Sequence, residues 1–242
     1  MSLNVDQLCL IVYRCEMEDN DFAGKPALPI RLFNRALAIQ APLVESRIAK
    51  LRRNYPHASP EEIIRRLTSE YRAVTVTAGA GVGVAAIVPG VGTGAAVALS
   101  GGEFFTFLEA SILYVLARSE ISGIATEDIE RRRLLLMAIL LGNSGEGTIT
   151  KIVGRTGTHW AGKIVKIIPH ETVLAINKVL GRHFVTKYGT KQGIIVLGEV
   201  VPFGVGALIG GAANGVFSQL VISASNRAFG SPPETWPNPN VK

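Results

Sequence analysis

Three of the four histidines, one serine and a few carboxylates are the side chains whose spacing invites a test for catalysis. His159, His170 and His183 lack metal-ligand spacing, and no His-Glu-x-x-His occurs. Ser144 lies in Gly142-Asn143-Ser144-Gly145-Glu146-Gly147, which is not the Gly-x-Ser-x-Gly elbow of a nucleophile. His159 and Glu146 could supply a base and an acid, but their spacing does not demand it. The glycine runs carry no Gly-Lys-Ser/Thr, so they are no phosphate-binding P-loop, and no Gly-x-Gly-x-x-Gly follows a convincing strand. Glu103 and Glu109 sit among strongly apolar residues. A carboxylate there is either a raised-pKa acid or cation site, or an acid at a helix end or paired with an arginine, and the second reading is preferred. Six residues apart, they do not share a helical face. Cys9 and Cys15 read as reduced thiols. The expectation is no catalytic residue, no metal and no cofactor.

The charged residues say more. Residues 151–191 hold Lys151, Arg155, Lys163, Lys166, Lys178, Arg182, Lys187 and Lys191 against Glu171 alone, in a chain of net charge +6. Arg155, His159, Lys163 and Lys166 fall on one helical stripe and His183, Lys187 and Lys191 on another, and Arg155, His159, Lys163, Lys166, Arg182, Lys187 and Lys191 are the candidate contacts to lipid headgroups. Trp160 and Tyr188 lie beside these stripes, as rings do at the level of lipid headgroups. Nucleic acid could use the same charges, but the chain shows no binding motif for it and only 7% aromatic residues.

The elements that would position these groups are organised around two uncharged stretches. Residues 73–102 contain no charged side chain, and neither do residues 200–226. Each carries a Val-Pro step, at Pro89 and at Pro202, followed by closely spaced glycines. Gly90, Gly94, Ala98 and Gly102 recur every four residues, and Gly79 and Gly83 repeat the spacing on the preceding arm. Ala207, Gly211 and Gly215 make one such row in the second stretch; Gly206, Gly210 and Asn214 make another. Helix faces without side-chain bulk let a neighbouring backbone approach closely. A full bilayer span needs about 20 apolar residues. Thirty residues broken at Pro89 offer too few per arm, so a re-entrant or interfacial hairpin, or one buried in a helical domain, is expected.

Elsewhere the pattern is also helical. Ile30, Phe33, Leu37, Val44, Ile48 and Leu51 recur at helical spacing with a kink at Pro42, opposite a basic face that includes Arg31, Arg35 and Arg53. Ser59-Pro60-Glu61-Glu62 is a capping box with proline at the first helical position. Arg131, Arg132 and Arg133 form a collar before the apolar run 134–141, which reads as a membrane edge or as the flank of a core helix. Residues 1–28 form an N-terminal segment without a secretion signal, 29–230 a helical domain, and 231–242 a Pro-rich tail with Trp236 as its anchor. The predicted fold is all-α, a multi-helix bundle with two pseudo-repeated Gly/Pro-rich apolar hairpins.

Gly181-Arg182, the run from Lys187 to Lys191, Val201-Pro202-Phe203-Gly204-Val205-Gly206 and Ala228-Phe229-Gly230 together resemble the EcsC-like bacterial proteins. Tyr55-Pro56 with the capping box, Pro89-Gly90-Val91-Gly92-Thr93-Gly94 and Glu109-Ala110 resemble the actinobacterial members, so the likeness covers roughly residues 40 to 230. The resemblance implies a mostly helical, membrane-associated protein and brings no catalytic residue. The functional expectation is a non-enzymatic protein that docks on or inserts into the cytoplasmic face of an anionic bilayer. Self-association through its glycine faces, or a membrane-protein partner, would accompany docking. The alternatives are a pore-forming or membrane-remodelling protein, or a soluble, cytoplasmic protein-interaction domain.

Overall fold

The computed structural model describes residues 28–85, 93–124, 126–153, 159–199 and 205–237, and the described residues are helical with no strand. The unassigned run 3–17, both prolines of the uncharged stretches (Pro89 and Pro202), Gly90 and Arg155 lie outside them.

The first helix, α1 (Leu28–Gln40), passes through a 3-10 turn at Ala41–Leu43 into α2 (Val44–Asn54). Pro42 sits within that turn, where it bends the path without interrupting an α-helical ladder. The six apolar positions expected on one face are all buried, and Arg31, Arg35 and Arg53 are exposed. Next comes α3 (Pro60–Ala85). Its start is fixed by two reciprocal bonds: Ser59 N–H donates to Glu62 Oε2 at 2.9 Å, and Glu62 N–H donates to Ser59 Oγ at 3.2 Å.

The long α4 (Thr93–Ile121) runs through the middle of the bundle and touches most other helices. Phe104, Phe107, Leu108, Ile112 and Val115 are buried along it. Gly79 and Gly83 fall within α3, and Gly94, Ala98 and Gly102 within α4.

After Gly123 turns the chain, α5 (Ile129–Leu141) is buried nearly all round. Asp128 caps it by accepting from the N–H groups of Glu130 and Arg131. All three guanidinium groups of the arginine collar are engaged within the fold, at the flank of a core helix. Arg131 donates to the carbonyls of Ile164 and Ile168, Arg132 to that of Thr126, and Arg133 to Asn34 Oδ1 while pairing with Glu130 at 3.7 Å. Glu130 in turn accepts from Asn177 at 2.6 Å.

Gly142, with φ of 64°, reverses the chain into α6 (Asn143–Val153). There Gly145 lies so close to α5 that a β-carbon would stand 2.3 Å from the Ala138 carbonyl oxygen. Then follow α7 (Trp160–Lys166), α8 (His170–Glu199) and α9 (Val205–Phe229). Gly206, Gly210, Gly211 and Gly215 all fall within α9.

An aromatic row joins four of these helices. Phe33 of α1 meets Phe184 of α8 edge-on at 5.2 Å, and Phe184 meets Tyr188 at 4.5 Å. Tyr188 meets Phe104 of α4 at 5.5 Å, and Phe107 meets Phe217 of α9 at 6.4 Å. Such pairs contribute about 0.5–1.5 kcal/mol each beyond the area they bury. Trp160 and Tyr188 are 1% and 0% exposed, so the two rings expected at headgroup level belong to the core. The tail packs back as expected: Trp236 donates to the Ala58 carbonyl at 3.3 Å, and Arg52 lies over its ring at 4.5 Å.

Candidate functional site

Two regions stand out once the helices are placed. One is a pole of the bundle; the other is a cleft at the opposite end of the same helix pair.

The pole follows from how α3 and α9 pack, which is the most extensive helix seam of the fold. Arg72 donates to Gln219 at 2.7 Å, Asn214 to the Thr75 carbonyl at 3.2 Å, and a β-carbon on Gly215 would touch Val76 at 3.8 Å. Residue numbers rise on one helix as they fall on the other, so the pair is antiparallel. At 1.5 Å per residue, Ala85 and Val205 each lie about 15 Å beyond this crossing, in the same direction. The neighbouring pair α3 and α4 is antiparallel too, through Tyr71 with Ser111 at 2.8 Å and Thr68 with Tyr114 at 3.2 Å. The start of α4 therefore reaches the same pole. Five residues link α8 to α9, so Glu199 lies within about 20 Å of Val205. Val74, Val76, Val216 and Leu220 are exposed near the crossing, Val216 by 62%. Among the described residues no helix is long and apolar enough to cross a membrane.

The cleft, of about 710 Å³, runs along the other half of the α3/α9 seam. Arg65, Ser69 and Arg72 line it from α3, Asn226 from α9, and Arg118 from the end of α4. His159, Gly230 and Ser231 close one end. Arg118 is only 4% exposed; it donates from Nη2 to the Gly230 carbonyl at 2.9 Å, and its Nε has no partner. Burial pushes its guanidinium below the ordinary value, while the Tyr114 hydroxyl acts weakly the other way. Ion pairs among the described residues leave Arg118 without a carboxylate.

His159 adopts a left-handed backbone at φ 64°, and its N–H donates to the Arg227 carbonyl at 3.1 Å. Its ring covers Gly230, where a β-carbon would come within 1.5 Å of His159 Nδ1.

The other sequence candidates are dispersed. Glu146 pairs with Arg227 at 3.1 Å, and no bond joins it to the His159 ring. His170 faces Asp128 at 3.3 Å, and His183 faces Thr148 at 3.4 Å. Glu109 accepts from Gln40 at 3.3 Å. Among the described residues no three potential ligands gather for a metal. Lys163, Lys166 and Arg182 are exposed, and Lys191 lies within α8. Lys187 turns inward, donating to the carbonyls of Leu140 at 2.9 Å and Leu141 at 3.2 Å at the end of α5. Burial pushes its ammonium below the ordinary lysine value.

Sequence reasoning missed Arg65, Arg72 and Arg118 as a group. The available signal was Arg118 itself, a lone cation ending the apolar run 112–117. Comparison with family models, with curated proteins and with solved structures found no match to this chain.

Proposed function

We propose that this protein is a non-enzymatic, membrane-associated helical protein that immerses one pole of its bundle in the cytoplasmic leaflet of an anionic bilayer. In this reading α3 with α4, and α8 with α9, are two pseudo-repeated Gly/Pro-rich hairpins whose tips enter together. The chain would then sit at the cytoplasmic side of the cell membrane. Membership of the EcsC-like family belongs to the same proposal.

The observation that carries it is the length of uncharged helix at the shared pole. From Arg72 to the end of α3 there are thirteen uncharged residues, and α4 begins with ten before Glu103. At 1.5 Å each these extend about 15–20 Å, close to half of a hydrocarbon core of about 30 Å. Helices of that length enter one leaflet and turn back. Exposed Arg182, about 25 Å from the Glu199 end of α8, would add about 1 kcal/mol near an anionic surface, whereas Lys163 and Lys166 lie beyond the opposite end of that helix.

Flotation of the full chain with vesicles is the test. Binding to vesicles with 30% phosphatidylglycerol, weakened by salt and by the double substitution V76D/V216D, is the expected result. Equal recovery of wild type and V76D/V216D with the lipid, or no recovery of either, would overturn the proposal.

A further inference from the structure

We propose that the cleft between α3 and α9, floored by Arg118, binds a phosphate-bearing anion. The argument is independent of the membrane reading.

A buried guanidinium is costly unless a negative group lies beside it, and most buried charges are paired for that reason. Arg118 has a backbone carbonyl and a tyrosine hydroxyl in place of a carboxylate. It is not sealed off, because it lines an open cleft whose other cations, Arg65 and Arg72, come from one face of α3 two turns apart. Glu61 is the one carboxylate of the lining, against three arginines and His159. Glu62, outside the lining, lies 3.9 Å from Arg65 and offsets part of that excess, so the cleft keeps a net positive charge. A phosphate monoester or pyrophosphate carries about two negative charges or more, and its oxygens match the forked donors of arginine. Ser69 and Asn226 add neutral donors, and Ile222 with Pro232 offers an apolar wall for an organic portion. The volume lies within the range of small-molecule sites, about 300–1,000 Å³.

The phosphate could belong to a soluble compound or to a lipid headgroup. Along α3 the cleft extends from Glu61, about 36 Å from Ala85, to Arg72, about 20 Å from it, so both sources are within reach and the experiment separates them.

Calorimetric titration of the full chain with inorganic pyrophosphate, without lipid, tests the site. One saturable event is expected, weakened at least tenfold in R65Q/R72Q and in R118K and unchanged in R53Q, a substitution outside the cleft. Arg65 and Arg72 are exposed, so R65Q/R72Q will fold even if R118K does not. Absence of saturable binding, equal affinity of R65Q/R72Q and wild type, or an equal loss in R53Q would overturn the proposal. A second arm adds pyrophosphate to protein bound on phosphatidic acid vesicles. Weaker pyrophosphate affinity on these vesicles than in their absence assigns the site to the headgroup, and unchanged affinity assigns it to a soluble compound, whether or not the pole keeps the protein on the lipid; either result upholds phosphate binding once the titration has succeeded.

Discussion

Asn214 donates its side-chain amide to the backbone carbonyl of Thr75 across 3.2 Å, joining the two uncharged stretches at a buried point. The row of small residues that ends in Asn214 thus carries a polar tie. Replacing Asn214 with alanine removes the donor and leaves a void, and should cost about 1–3 kcal/mol in urea denaturation.

Two glycines of the fold predict opposite responses to the same change. At Gly145 a methyl group would strike the Ala138 backbone, so G145A should cost about 1–3 kcal/mol or more. At Gly215 the nearest atom is a methyl of Val76 at an ordinary 3.8 Å. There G215A should be neutral, or stabilise by up to about 1 kcal/mol through helix propensity. Thermal unfolding of the two variants side by side checks both outcomes.

Lys187 gives a pH signature. Its ammonium titrates below the ordinary 10.5 in the folded chain because burial disfavours the charge. Between that lowered value and 10.5 the unfolded chain holds more protons, so unfolding free energy rises with pH across the window. K187Q lacks this contribution. The stability difference, wild type minus K187Q, should increase from pH 8 to pH 10.5 in parallel urea titrations.

Gly230 is required twice, by its φ of 76° and by the His159 ring above it. G230A should cost about 1–3 kcal/mol, from backbone strain and the collision together. H159A opens the space, so the double variant should recover the steric part and retain the strain. A double-mutant cycle with a coupling energy above about 0.5 kcal/mol would record that contact.

Short-range physics was legible in the sequence and long-range packing was not. The six apolar positions of α1 and α2 and the Ser59–Glu62 box depend on neighbours within one helical turn, so spacing alone located them. Trp160 and Tyr188 beside basic stripes looked interfacial, since an aromatic ring next to lysine reads alike in a core and at a headgroup. The structure buries both rings. The arginine collar read both ways, as a membrane edge or as the flank of a core helix, because only the fold brings the carbonyls of Ile164 and Ile168 to Arg131. The cleft was hidden because its polar residues come together only when α3, α4, α9 and His159 are placed side by side. None of these is a motif by itself.

Two successive side chains of α8, Lys187 and Tyr188, reach the same carbonyl, that of Leu140, at 2.9 and 2.8 Å. Adjacent residues point about 100° apart around a helix, so both can grip one oxygen only within a narrow angular setting. Turning or sliding α8 would release at least one donor into an apolar surround. A turn or slide of α8 is therefore resisted at the end of the buried α5.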